Sequence, residues 1–524
     1  MTTSKGKGQN RNASEWLRAF LLGLTGAGVV GLLALFPSNL FIFFAVALVF
    51  TVFSFMNRIF FIYGSMTMLT FRYLFTISLS YTHNIYFNLN FLRVASDDFP
   101  IIKYADEVVG IIATILIIDE LLVRRKRIHF FGKRGNYYGS IFLIITILSS
   151  IVNLVNPIQT IYFIQMFLRP ILLFGIICSI PFTSEKLDRL FKYVFCLAFA
   201  FQLIFSVLQN LARIKEGSFL WGDLFIGTFM LPLSPISAGL LAFAFFIFLG
   251  LFIVNQHPLH FLGALLAFLG IINAQAGFMT VILVFSVGIW IFYVGVNTRK
   301  MNLRRFAPRL SIILFISTIV SLVMILIFSP QTKGWDVSIG YPIQVIEKRM
   351  RDPFAETQKF LSYRNFWSIF KSEGKIVLGV GPAEFLTGAA GKVQSKLTRQ
   401  YSSLAVLGEV GAADFLENDT VGLIGEVGVI GWFTYIFFYV WTLLALSRMV
   451  RKISDPIWKG RSLGVFGGTI FILLYSFGWI IFESPVEAVF LWVLFGIVYK
   501  YYSSLEINGN KWKNKIVSET QVIK

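Results

Sequence analysis

The chain has 524 residues, 56% of them hydrophobic and 17% aromatic, with only 14% charged and a mean hydropathy of +0.74. A soluble domain carries about a quarter charged residues, so this composition excludes a soluble globular enzyme and marks a membrane protein. The net charge of +19 comes with no basic helix, zinc spacing or RNA-binding signature, which argues against nucleic acid as a partner and points to basic cytoplasmic loops.

The N-terminus is basic (Lys5, Lys7, Arg11). No small-residue cleavage site follows the apolar run at 19–36, so the run reads as a retained first helix. Crossing a bilayer takes about 20 apolar residues. Spans are expected at 16–36, 39–56, 59–81, 101–123, 138–155, 159–182, 190–211, 233–254, 259–275, 278–296, 309–328, 418–446, 463–482 and 485–503. The weakest are 59–81, which contains Arg72, and 101–123, which starts beside Lys103, Asp106 and Glu107. Losing both as a pair leaves every later orientation unchanged. Basic blocks at 124–134, 299–309 and 448–461 then share one side with both termini, and the positive-inside rule makes that side the cytoplasm.

The expected fold is an all-α polytopic integral membrane bundle of 12–14 spans with one large extracytoplasmic loop bearing amphipathic helices. Its parts are an N-terminal membrane section (1–137), central helices (138–328), the loop (329–417), C-terminal helices (418–503) and a cytoplasmic tail (504–524). The loop is mixed in charge, with eleven Lys or Arg against nine Asp or Glu. Apolar spacing over 343–370 predicts one or two helices lying on the membrane surface.

Within this frame few residues carry chemistry. Arg169 sits about ten residues into a span, where an ionised side chain costs about 2.5–3.5 kcal/mol or more. It therefore faces either an anionic ligand or a partner carboxylate. In the loop, Arg364 and Trp367 lie one helical turn apart, and a guanidinium fork suits diphosphate oxygens. Lys348, Arg349 and Arg351 form a basic knot that equally suits lipid headgroups. Gly379-Val380-Gly381-Pro382-Ala383-Glu384-Phe385 lacks the Lys-Ser/Thr of a P-loop. It reads as a tight turn, or as a place where backbone approaches a ligand.

Where the loop re-enters the membrane stands Glu417-Asn418-Asp419. A partly desolvated carboxylate there suits a general base, while Asn418 or Asp419 also suits an N-cap. Glu426 follows, among glycines at 422, 425, 428 and 431 that permit close helix packing. Glu483 and Glu487 read as capping acids. The four His and the two cysteines, Cys178 and Cys196, form no metal spacing and no Ser-His-Asp set.

Taken together, Arg364, Trp367, Gly379 to Phe385, and a polar pair followed by Glu426, Gly428 and Gly431 resemble the O-antigen ligase and Wzy-type polymerase family. The convincing match covers 360–445. The resemblance implies a GT-C-like membrane glycosyltransferase of the bacterial cytoplasmic membrane, acting on undecaprenyl-diphosphate-linked oligosaccharide at the outer face without a cofactor or metal. Membrane lipids, a flippase and a chain-length regulator are its implied partners.

The chain departs from the family twice. Glu417 stands where a His is usual, and Ala274-Gln275-Ala276-Gly277 replaces a Ser-Arg-Gly. On this reading Glu417 and Arg364 are catalytic. Arg169, Trp367, Gly379, Gly381, Asn418, Asp419 and Glu426 contact substrate. A polymerase is expected, with ligase-type transfer to a lipid A core or protein as the alternative. A transporter or flippase is the reading from another class.

Overall fold

The computed structural model describes residues 39–71, 105–124, 132–207, 234–273, 277–297, 375–385, 387, 389–390, 419–477, 482, 484 and 486–522. Among these there are helices and turns and no strand. In chain order the helices are α1 (Asn39–Met56), α2 (Arg58–Phe71), α3 (Ala105–Ile118, continuing as a π-turn over Asp119–Val123), α4 (Gly132–Val152), α5 (Pro157–Ser179) and α6 (Ser184–Cys196, prolonged by a π-turn over Leu197–Phe201). They continue with α7 (Ser234–Asn255), α8 (Pro258–Asn273), α9 (Gly277–Asn297), α10 (Asp419–Lys452), α11 (Pro456–Tyr475) and α12 (Glu487–Val522).

The segments Pro157–Ser179, Ser184–Val207, Ile236–Asn255, Asp419–Lys452, Pro456–Tyr475 and Glu487–Leu505 are long and apolar enough to cross a membrane. Helix is the form such a segment must take, because lipid offers no partner for an unpaired backbone group. The chain is thus an all-α polytopic membrane bundle. The surface helices expected over 343–370 lie outside the described residues.

Local signals set the helix starts. Asn156 accepts from the Ile158 amide at 2.9 Å ahead of Pro157, and Asp455 accepts from the Trp458 amide at 2.8 Å ahead of Pro456. A capping side chain followed by Pro is a strong start signal. This cap moves α11 seven residues earlier than the expected 463. The polar residues that blunted the apolar signal there are folded inward: Arg461 pairs with Asp188 of α6 at 2.6 Å and lies over the rings of Phe191 and Trp458. Helix α12 likewise continues past 503, to Val522.

The closest helix pair is α7 with α11, joined through glycine. A Cβ on Gly460 would lie 2.8 Å from the Leu251 Cα, and one on Gly464 would run into the backbone of Ile247. Small residues let membrane helices touch backbone to backbone. Helix α9 closes over this seam, with Trp290 donating to the Leu463 carbonyl at 2.9 Å. Gly464→Leu should therefore cut the yield of folded protein and lower its thermal midpoint, whereas Gly288→Leu, with nothing within 4 Å of its Cβ position, should change neither. Thermal unfolding followed by size-exclusion chromatography reads both, and equal behaviour of the two variants would dismiss this account of the seam.

Alternating helix directions gather the turn 153–156, the segment 375–390, the head of α10, the tail of α11 and the head of α12 at one end of the bundle. Direct bonds tie these parts together, from Asn153 to Gly379, Thr420 to Ser476 and Asp419 to Phe482. The opposite end carries Asp188, Arg461 and Lys500, the last donating to the Cys178 carbonyl at 2.7 Å.

Candidate functional site

Helix α10 is broken near its start. Gly428 has φ +74° and ψ 176°, a conformation that a side chain disfavours. The break frees backbone groups that an unbroken helix would pair internally, and buried groups of this kind must find partners. The segment 375–381 supplies them. Val429 donates its amide to the Ile376 carbonyl at 2.9 Å, Val380 donates to the Gly425 carbonyl at 2.8 Å, and Gly381 donates to the Glu426 carbonyl at 3.0 Å.

The glycines of α10 are the footprint of this loop. A Cβ on Gly422 would lie 3.0 Å from the Thr387 side chain, one on Gly425 would strike the Phe385 ring, and one on Gly428 would strike the backbone of Val377 and Leu378. On the loop side, Gly379 (φ +71°) passes so close to α10 that a Cβ would meet the carbonyls of Gly425 and Glu426. The two glycine-rich stretches of the sequence are therefore two halves of one joint.

Glu426 locks it. The side chain is fully buried. Its Oε2 accepts from the Ala383 amide at 2.6 Å, and its Oε1 accepts from the Thr387 amide at 3.1 Å and from the Thr387 hydroxyl. Converging backbone amides of this sort form an anion-binding nest. Here the nest is filled from within the protein, by a carboxylate of the neighbouring helix. Ala383 itself has φ +58°.

A third element supports the joint. Ser149, near the end of α4, contacts both the Leu378 carbonyl (2.6 Å) and the Glu426 carbonyl (3.0 Å). Asn153, one turn on, donates to the carbonyls of Gly379 (3.3 Å) and Ser149 (2.9 Å). The turn that follows is itself tied down, Ser150 to Thr160 at 2.6 Å. Ser149, Asn153 and Thr387 escaped the sequence reading. The cluster of Ser149, Ser150 and Asn153 at the end of an apolar span was the available cue.

Asp419 opens α10, buried, and accepts from the Phe482 amide at 2.5 Å. It binds the turn that holds Phe482 and Ser484 to α10. That turn starts α12 with a serine cap: Ser484 Oγ accepts from the amides of Val486 and Glu487, both at 3.3 Å, and donates to the Glu487 carboxylate. Glu487, expected as a capping acid, stands in the first turn of α12 and holds the Ser484 that caps it, while Glu483 lies outside the described residues.

Arg169 lies apart from this joint, in the seam between α3 and α5. It is 1% exposed, and its Nη1 pairs with Asp106 at 3.1 Å. Next to it, Tyr162 donates to Glu107 at 3.0 Å. Of the two options for a mid-span arginine, the bundle provides the partner carboxylate. Glu417, Asn418, Arg364 and Trp367 lie outside the described residues, and among the described ones no cluster of three or more His, Cys, Asp or Glu is placed to hold a metal ion.

No protein-family model matches the chain, and no curated protein matches it.

Proposed function

We propose that the chain is a membrane glycosyltransferase that polymerises undecaprenyl-diphosphate-linked oligosaccharide units into a surface polysaccharide. It would work at the outer face of the bacterial cytoplasmic membrane, with both termini cytoplasmic. The observation that supports this reading most is the joint. The two motifs on which the family resemblance rests pack directly against each other, Glu426 in the nest of Ala383 and Thr387. A rigid frame of this type is what a transferase needs to hold donor and acceptor in register.

In the proposed step an acceptor hydroxyl attacks the anomeric carbon of the donor glycan. The new glycosidic bond forms as the carbon–oxygen bond to the lipid diphosphate breaks, and the bonding pair leaves with the diphosphate. Glu417 takes the hydroxyl proton, and Asn418 orients it. Arg364 stabilises the charge that grows on the leaving diphosphate, and Trp367 contacts the substrate. Gly379, Gly381 and Glu426 shape the donor side, Asp419 holds the neighbouring turn, and Arg169 is occupied by Asp106. A flippase would deliver the substrate, and a chain-length regulator would act on the product.

The break in α10 favours a second reading, because broken helices mark transporter binding sites. The groups freed at this break are taken up by the segment 375–381, however, and among the described residues no other helix contains a glycine of positive φ. Vesicles carrying the chain and supplied with lipid-linked oligosaccharide discriminate between the readings. A product ladder is expected. A single addition onto a lipid A core or protein would point to a ligase, and uptake without product to a transporter. Arg364→Ala should insert normally and lose about 10²–10³-fold in turnover; full activity would remove Arg364 from the mechanism.

A further inference from the structure

The lipid-facing side of α10 ends in a cationic patch at the opposite end of the bundle from the joint. Phe433, Phe437, Val440 and Leu444 are exposed at helical spacing along one stripe, and Arg448 and Arg451 continue it. Met449 and Val450 are buried, so packing fixes the rotation of the helix and keeps this stripe outward. The stripe is apolar over roughly 16 Å of helix at 1.5 Å per residue, then positive.

Arg448 and Arg451 are held differently from other cations of the described residues. Arg189, Lys192 and Arg461 each pair with a carboxylate. Arg448 instead lies over the Trp441 ring, 5.2 Å from its centroid, and Arg451 donates to the Ser447 carbonyl at 3.4 Å. Lys452 donates to the Tyr502 hydroxyl at 2.8 Å. All three are exposed. The contact with Trp441 draws the Arg448 guanidinium back along the helix, toward the apolar stripe. Tryptophan favours the headgroup level of a bilayer, and the guanidinium fork matches phosphate oxygens.

We propose that this stripe is a binding site for an anionic phospholipid, its phosphate held by Arg448 and Arg451 with support from Lys452, and an acyl chain lying along Leu444, Val440 and Phe437. Charge complementarity decides the class of lipid: each Lys or Arg near a membrane surface is worth about 1 kcal/mol toward anionic lipid. A zwitterionic lipid gains much less. The reading is independent of the proposed catalytic role.

The test uses the full chain in detergent, titrated with phosphatidylglycerol or phosphatidylcholine, with bound lipid counted by native mass spectrometry. Wild type should retain phosphatidylglycerol about a hundredfold better than phosphatidylcholine, three cations at about 1 kcal/mol each. The triple variant Arg448→Gln, Arg451→Gln, Lys452→Gln should lose that preference, whereas Arg189→Gln with Lys192→Gln should keep it. Should the triple variant fail to fold, wild type alone decides, because its preference should collapse in about 1 M salt, where the Debye length is about 3 Å. Equal retention of the two lipids by wild type, an unchanged preference in the triple variant, or a preference that survives such salt overturns the proposal.

Discussion

Glu417→Gln is expected to lower polymer synthesis by about 10²–10⁴-fold, the usual contribution of a positioned general base, without reducing the amount of protein in the membrane. Glutamine keeps the volume of the side chain and can still accept a hydrogen bond, so binding of the acceptor should survive. What disappears is the ability to take the hydroxyl proton as the glycosidic bond forms. A carboxylate is intrinsically a weaker base than an imidazole, so on the proposed mechanism proton transfer should come late, after the bond to the diphosphate has largely broken. In the proposed reaction chain initiation and elongation use the same step, and shorter ladders alone would not fit it. Rates measured on lipid-linked oligosaccharide in vesicles decide the matter: a variant that builds ladders of normal length at the normal rate ends the catalytic assignment.

Substitution of Glu426 should be nearly as damaging, for a different reason. Glu426→Ala leaves the amides of Ala383 and Thr387 and the Thr387 hydroxyl without their acceptor in a buried place. Each such loss costs about 1–3 kcal/mol. The joint avoids the full penalty by opening locally, so the segment 375–390 should come off α10 while the bundle persists. Glu426→Gln should be almost as harmful, because its NH2 group must face either the Ala383 amide or the Thr387 donors. Thr387→Val removes one donor with its bond to Glu426, but also the acceptor of the buried Ala390 amide at 3.2 Å; with one orphaned donor in place of three it should be milder.

Hydrogen exchange at the amides of Val380 and Gly381, which donate to α10 at 2.8 and 3.0 Å, reports the opening directly. Faster exchange in Glu426→Ala and Glu426→Gln, and a smaller rise in Thr387→Val, is the expected order. Unchanged exchange in Glu426→Gln would show that the carboxylate is not the lock.

Several parts of the joint were legible as residues but not as a joint. The spacing of Gly422, Gly425, Gly428 and Gly431 suggested close packing between helices. The packing is real, but the partner of the first three is a loop: Thr387, Phe385, and the backbone of Val377 and Leu378. The turn reading of Gly379 to Phe385 described the local geometry, and the group its backbone approaches is Glu426 of α10. Glycines at 460, 464, 467 and 468, which make the α7–α11 seam, carried the same small-residue signal and stand in a stretch whose Lys459 and Arg461 masked its helical start.

What the sequence determined by itself is whatever must hold along a continuous stretch of chain. A helix in lipid has to be apolar over about 20 residues and has to begin at a cap, so membrane character, the α class and several helix starts follow from neighbouring residues alone. The tertiary structure decided who satisfies each buried polar group. Arg169 finds Asp106 63 positions away, Glu426 finds Ala383 43 positions away, and Ser149 reaches the Glu426 carbonyl across 277 positions. In a low-dielectric interior a charge or a freed amide must be paired, but that requirement names only the chemistry of the partner. Which residue meets it depends on where the fold brings the chain back.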